Sequence, residues 1–315
     1  MKKKTAVVAL GGNAITRQGE EDTILRQFEN TKASLASVVA LLKDGYNLAI
    51  THGNGPQVGN AILRVELARD KAPVLPLYIC DADTEGGIGF MIEQTLQNLL
   101  HQENIKREVV TVITQVVVDK NDPSIKNPTK YVGQFYAKEE VDKLARERGW
   151  SVKRDSNRGW RRVVASPLPV EIVEKETIKK LVHSGIVVIA AGGGGVPVCY
   201  NSHAQLEGVD AVIDKDRASA VLARDIEAEL LIILTGVEKV SLNYGTLLQR
   251  DLEKLTLKEA KEYLAQGHFP AGSMGPKIEA AITFLEAGGK EVVITSIEKG
   301  YQAIKGKAGT HIYSD

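Results

Sequence analysis

Four times along this chain an apolar, β-branched run stops abruptly at glycine. Thr5–Leu10 (TAVVAL) ends at Gly11-Gly12-Asn13, and 47–51 (NLAIT) ends at His52-Gly53-Asn54-Gly55-Pro56. The run 186–191 leads into Gly192-Gly193-Gly194-Gly195, and Leu230–Thr235 (LLIILT) ends at Gly236. Strands this apolar are buried on both faces, as in a parallel sheet covered by helices. Paired glycines let backbone come close to a ligand, and Asn13 tolerates left-handed geometry while offering an amide. Any one of these turns alone reads equally as an ordinary tight βα turn. Their recurrence at strand ends argues for an anion-holding site at the carboxyl edge of the sheet.

Helical spacing fills the intervals. Ile24, Leu25, Phe28, Leu35, Val38, Val39 and Leu42 form one stripe, stopped at Asp44-Gly45. Pro56 suits the first turn of a following helix. Further helices are predicted over 93–102, 175–182, 216–223, 257–264 and 276–287, with strands over 109–118 and 291–295, the last closing the chain. The alternation predicts an α/β fold, a three-layer α/β/α sandwich around a mainly parallel sheet. At 315 residues, one large domain and two lobes are both open.

Composition narrows the function classes. Forty basic and forty acidic residues leave no net charge, so no global field draws in nucleic acid or a membrane surface. No apolar run approaches the ~18 residues of a membrane span. Met1-Lys2-Lys3-Lys4 resembles the start of a signal peptide, but the apolar run behind it is too short and reads as a strand. Cys80 and Cys199 sit in apolar surroundings as small buried hydrophobes, with no zinc spacing anywhere. A soluble, cytoplasmic protein is expected.

From Asp119 to about Ser166 the texture turns polar. Between Lys143 and Arg162, eight basic residues (Lys143, Arg146, Arg148, Lys153, Arg154, Arg158, Arg161 and Arg162) stand against two acidic ones, Glu147 and Asp155, a local excess of six positive charges. Such a stretch is either a solvated helix and hairpin or a cationic lid over an anionic ligand. Trp150 and Trp160 are too few to argue for nucleic-acid stacking.

Known nucleotide motifs fit poorly. Gly53-x-Gly55 has its third glycine at Gly59, one position late for the dinucleotide fingerprint. Gly306-Lys307 lacks a Walker loop around it, and no GxSxG is present. More telling is Gly272-Ser273-Met274-Gly275-Pro276-Lys277, with Pro276 at a first helical position and Ile278, Ala281, Ile282 and Leu285 behind it. That places Lys277 in a helix's first turn, where stability alone favours an acid. A cation there makes sense beside a bound anion; a lysine snorkelling to solvent is the plainer alternative. In Asp214-Lys215-Asp216 the aspartates read as helix caps, or as groups that orient lysines or hold Mg²⁺.

Taken together, Ala9 to Ala14, His52 to Gln57, Ala191 to Gly195, Asp214 to Asp216 and Gly272 to Lys277 resemble the carbamate kinases of the amino acid kinase superfamily, in order and over essentially the whole chain. The resemblance implies one kinase-like domain over 1–315, with 119–166 as an inserted, protruding basic subdomain acting as a lid. Other superfamily members carry a lysine two residues before the first Gly-Gly, where this chain has Ala9; carbamate kinases share that absence. The resemblance assigns the catalytic charge to Lys130, Lys215 and Lys277, with Asp216 orienting the lysines and Gly11, Gly12 and Asn13 holding the transferred phosphoryl. Gly53, Asn54 and Gly55 are implied to cradle the carbamate end, and Gly236, Val237, Tyr244, Met274 and Gly275 to face the nucleotide.

The implied reaction is reversible phosphoryl transfer between ATP and carbamate, giving ADP and carbamoyl phosphate. Mg²⁺ would be held through the phosphates, with no protein ligand identified, and the protein would be a homodimer. Competing readings are a related kinase acting on a larger carboxylate or UMP, an NAD(P)-dependent dehydrogenase, and a nucleotide sensor without transfer.

Overall fold

β1 (Thr5–Leu10) is buried along its whole length, and alternate side chains enter different cores. Val7 and Ala9 pack on one side of the sheet, and Ala6, Val8 and Leu10 on the other. Only a strand with helices over both faces can bury both sets. The computed structural model describes residues 3–314 apart from 18, 20, 22 and 156–158. Met1, Lys2 and Arg158 therefore lie outside the described residues.

The first half runs α1 (Ile24–Ser34), α2 (Ala36–Lys43), β2 (Asn47–His52), α3 (Gly55–Leu67), α4 (Leu77–Gln102), β3 (Val109–Thr111) and β4 (Gln115–Val118). Three expectations change here. The helix predicted over the first stripe is two helices meeting at Leu35. α4 begins at Leu77 rather than Glu93, because glycines in its first half that suggest a loop serve packing instead. A side chain at Gly89 would lie 2.3 Å from Thr111 Cγ2, so the helix presses directly on β3. The strand predicted over 109–118 is two strands in different sheets. Thr114, between them, donates its N–H to Glu85 and accepts the N–H of Ala191 on Oγ1.

The basic stretch folds as α5 (Pro123–Lys126), β5 (Lys130–Tyr136), α6 (Lys138–Arg148), β6 (Ser151–Arg154) and β7 (Trp160–Val164). Its strands form a separate antiparallel sheet in the order β5-β7-β6. Part of its charge is used internally. Arg161 pairs with Asp155 at 3.0 Å and lies over Phe135, while Arg162 lies over Trp150. Val132 and Val164 join Val58, Ile62 and Leu77 in a small third core, tying this sheet to α3 and α4.

The second half comprises β8 (Pro169–Ile172), α7 (Lys175–Ser184), β9 (Val187–Ile189), β10 (Val196–Tyr200), β11 (Leu206–Gly208), α8 (Lys215–Asp225) and β12 (Leu230–Thr235). It continues with β13 (Val240–Leu242), β14 (Arg250–Leu252), β15 (Lys254–Thr256), α9 (Leu257–Ala265), α10 (Met274–Glu286), β16 (Glu291–Ser296), α11 (Gly300–Ile304) and β17 (Thr310–Tyr313). β17 corrects the expectation that 291–295 closes the sheet. It is short and half polar (THIY), and it runs antiparallel to β16, with His311 Nδ1 2.7 Å from Glu291.

The main sheet has the order β15-β17-β16-β12-β1-β2-β9-β3, and the six strands from β16 to β3 are parallel. α7, α8 and α10 cover one face through Ile178, Leu222, Ile278 and Phe284. α2 and α4 cover the other through Val38, Leu41, Ile92 and Leu96. The chain is thus the expected three-layer sandwich. It winds from β1 to β2 on one side and returns as β12 on the other. The carboxyl ends of these strands therefore flank a crevice at the switch point, where open α/β sheets bind ligands. Cys80 is buried, while Cys199 is only half-buried. Among the described residues no helix is long and apolar enough to cross a membrane.

Candidate active site

The glycine turns meet at that crevice. Gly11 N donates to Leu234 O at 2.9 Å, and Gly53 N donates to Leu10 O at 3.1 Å, so each strand end is stitched to its neighbour. A side chain at Gly11 would lie 2.7 Å from Leu234 O, which leaves room only for glycine. Gly12 and Asn13 are exposed in a short helical turn. A Cβ placed on Gly53 would be 3.5 Å from Gly12 N and 3.7 Å from Lys215 Cδ; one on Gly236 would be 3.0 Å from Asn13 Nδ2.

Opposite these turns lies a cluster of charge. Asp214 caps α8, accepting from Asp216 N at 3.0 Å, and also receives Lys130 Nζ at 2.9 Å from the first residue of β5. Asp216, in the first turn of α8, accepts Lys215 Nζ at 2.5 Å on one oxygen and Lys277 Nζ at 2.7 Å on the other. Arg217 Nε donates to Glu279 at 2.8 Å, which braces α8 against α10. The bracing holds the two halves of the triad in register.

α10 begins at Met274, so Pro276 is not its first residue as the sequence suggests. Lys277 still stands at the helix's amino end. The N-cap residue Ser273 makes no side-chain cap; the Gly275 amide donates to Pro270 O at 2.9 Å and Pro276 has no N–H, so the helix end offers the crevice the positive end of its dipole and the Lys277 ammonium. Two ammonium groups share one carboxylate, so a net positive charge faces the crevice.

Burial opposes the ionised form of Asp216, yet Lys215 and Lys277 hold its carboxyl down to about 2. Burial likewise lowers Lys215, and Lys277 adds to that, while Asp216 pulls the other way. Asp214 is lowered against its own burial by Lys130.

The acceptor-side turn rests on α4. Asn54, 3% exposed, donates through Nδ2 to Asp81 Oδ1 at 3.2 Å and to Thr84 Oγ1 at 3.0 Å. Glu85 accepts Gly192 N at 2.9 Å on one oxygen and Thr114 N at 3.1 Å on the other. Burial pushes both Asp81 and Glu85 up to about 8. A proton on Asp81 Oδ2, which has no partner, leaves Oδ1 free to accept. Burial also lowers His52, to about 4, so it is neutral at pH 7.

The fold thus gathers Gly11, Gly12, Asn13, Gly53, Lys215, Asp216, Lys277 and Gly236, and brings in Lys130 through Asp214. Met274 and Gly275 open α10 beside them. Val237 is half-buried beyond β12, and Tyr244 is 61% exposed between β13 and β14, in no hydrogen bond of this cluster among the described residues. Sequence reasoning misses Asp81, Thr84 and Glu85. Their signal is present: Leu77, Cys80, Ile88, Met91 and Ile92 recur at helical spacing, and these three polar residues fall on the same buried stripe.

The profile of the amino acid kinase family matches residues 4–296. Carbamate kinase from Pyrococcus furiosus is 46% identical over 311 residues, covering 98% of this chain and 99% of the relative. Carbamate kinase-like protein YahI of Escherichia coli is 48% identical over 98% of this chain and 99% of its own. The structure of carbamate kinase from Giardia lamblia bound to AMP-PNP superposes with a TM-score of 0.93 at 41% identity, covering 99% of both chains. With a family profile across nearly the whole chain and relatives matched end to end, the chain belongs to the amino acid kinase family, in its carbamate kinase group.

Proposed function

We propose that this chain catalyses reversible phosphoryl transfer between ATP and carbamate, yielding ADP and carbamoyl phosphate. The observation that carries this is the Lys215–Asp216–Lys277 triad set against glycine turns at the amino end of α10. A carbamate oxygen bonds to the γ-phosphorus while the bond to the bridging oxygen breaks, and ADP leaves with that electron pair. The acceptor is already an anion, so no proton need be removed. The obstacle is repulsion between anions, which positioned cations and amides reduce most where charge spreads in the transition state. In this reading Lys215 and Lys277 hold the transferred group with Gly11, Gly12 and Asn13, and Asp216 aims both lysines. Gly53 to Gly55 receive the carbamate, and Gly236, Val237, Tyr244, Met274 and Gly275 face the nucleotide.

Asp214 and Asp216 are both engaged by lysines, and among the described residues no cluster of three acidic, histidine or cysteine groups could hold a metal. Mg²⁺ is therefore assigned to the phosphate oxygens of the nucleotide, where it neutralises charge. A homodimer in the cytoplasm completes the proposal. The apolar groove lined by Ile24, Phe28, Val65, Leu75 and Phe90 supports pairing of two copies.

Mixing the protein with ADP, Mg²⁺ and carbamoyl phosphate should yield ATP well above a heat-killed control. Absence of ATP there, with transfer to N-acetylglutamate or UMP instead, would move the chain to another acceptor class. We treat 119–166 as a lid because Lys130 reaches the α8 cap from its first strand. Lys130→Met should lower kcat by about tenfold or more while the fold persists. Replacing 119–166 by a glycine linker should abolish transfer; a linker variant with near-normal turnover would make the segment an appendage.

A further inference from the structure

Asn54 occupies the N-cap of α3, a position where an asparagine side chain normally accepts from the helix's first free amides. Here no such bond forms. The side chain is turned instead to α4, where its amide is fixed between Asp81 Oδ1 and Thr84 Oγ1. Thr84 has committed its own hydrogen to Asp81 O at 2.9 Å, so towards Asn54 it can only accept. The other wall is Gly193, held with a φ of 68°, where an added Cβ would come within 2.2 Å of Asn54 Nδ2. That turn is itself pinned by Glu85 through Gly192 N. Three residues of one α4 face therefore act on a side chain belonging to another helix.

The consequence concerns α3, whose Gly55 and Gln57 amides are left uncapped at the end of β2; Pro56 has no N–H to offer. An anion at this helix end meets free donors and the positive end of the dipole. A capping asparagine would compete with it for the same hydrogens.

We propose that Asp81 and Thr84 are positioning residues for the acceptor, holding the Asn54 side chain off the α3 N-cap so that the helix's first amides stay available to the acceptor's negative end. The inference rests on the functional reading above for the identity of the acceptor, but its mechanical part does not.

Two readouts separate them. In Thr84→Val and in Asp81→Leu, KM for carbamoyl phosphate should rise by about tenfold while KM for ADP stays within about twofold, because only acceptor binding depends on these amides. Asp81→Asn, which keeps an acceptor oxygen, should retain most of the wild-type acceptor affinity. Hydrogen exchange at Gly55 and Gln57 should slow in Thr84→Val, as the released Asn54 side chain swings onto α3. That measurement needs no activity, and Thr84→Val alone decides the matter if Asp81→Leu does not fold. Unchanged exchange at these amides overturns the proposal. So does an active wild type whose variants show both KM values rising together, or neither rising. A wild type that makes no ATP defeats the functional reading instead, and the exchange result then stands by itself.

Discussion

Lys277→Met is expected to lower kcat by about a hundredfold or more, the scale seen when one transition-state donor is deleted. The ammonium sits at the amino end of α10 and is tied to Asp216 at 2.7 Å, with Ser273 O at 3.4 Å. Methionine keeps most of the apolar stem and removes the charge. Stability should change by no more than about 1 kcal/mol, because opposing terms nearly cancel. Asp216 loses one partner but keeps Lys215, and Lys215 is freed from a neighbouring like charge. Nucleotide KM should move less than kcat, since the interaction strengthens as charge shifts between ADP and acceptor. A variant that keeps its kcat yet melts at a markedly lower temperature would make Lys277 a structural residue.

The parts of this protein that were legible in its sequence are those where local chemistry and tertiary role coincide. β1, β2 and β12 are apolar runs that stop at glycine, and the structure buries them as strands and gathers their turns. The Lys215–Asp216 pair lies on one helix turn, so its charges are adjacent in sequence and in space. α4 was illegible over its first half for the opposite reason. Asp81, Gly86 and Gly89 have weak local helix propensity, but tertiary contacts hold Asp81 and Gly89 within a helix. Gly89 clears Thr111, and Glu85 holds two backbone N–H groups from distant segments.

The split of 109–118 has the same origin. Nothing within Val112, Ile113 and Thr114 breaks a strand; at the break Thr114 is held from both sides, its N–H by Glu85 and its Oγ1 by the N–H of Ala191. Similarly, Lys130 gives no local sign of its partner. Eighty-four positions separate it from Asp214, and only the fold of the inserted sheet joins them.

Asp216→Asn should have the largest combined effect of any single change in this cluster. The carboxylate is nearly buried and accepts both Lys215 and Lys277. Asparagine keeps the shape but leaves two ammonium groups facing each other without a counter-charge, which costs about 3 kcal/mol when a buried partner is removed. The wild-type group makes the same point through its titration. Its carboxyl is held down to about 2 in the folded protein against an ordinary value near 3.8. A depressed acid contributes stability that is complete above its unfolded pKa and is lost as pH falls through its folded one. Asp216 therefore supplies about 2 kcal/mol at neutral pH, lost between about pH 4 and pH 2. In Asp216→Asn that acid-dependent component should vanish, flattening the stability profile over this interval. Turnover should fall by about a hundredfold or more, because neither lysine is aimed any longer. The lost negative charge also leaves the crevice more positive, so tripolyphosphate should raise the melting temperature of the variant more than that of the wild type. Equal thermal shifts, together with an unchanged acid profile, would show that Asp216 does not organise the lysines.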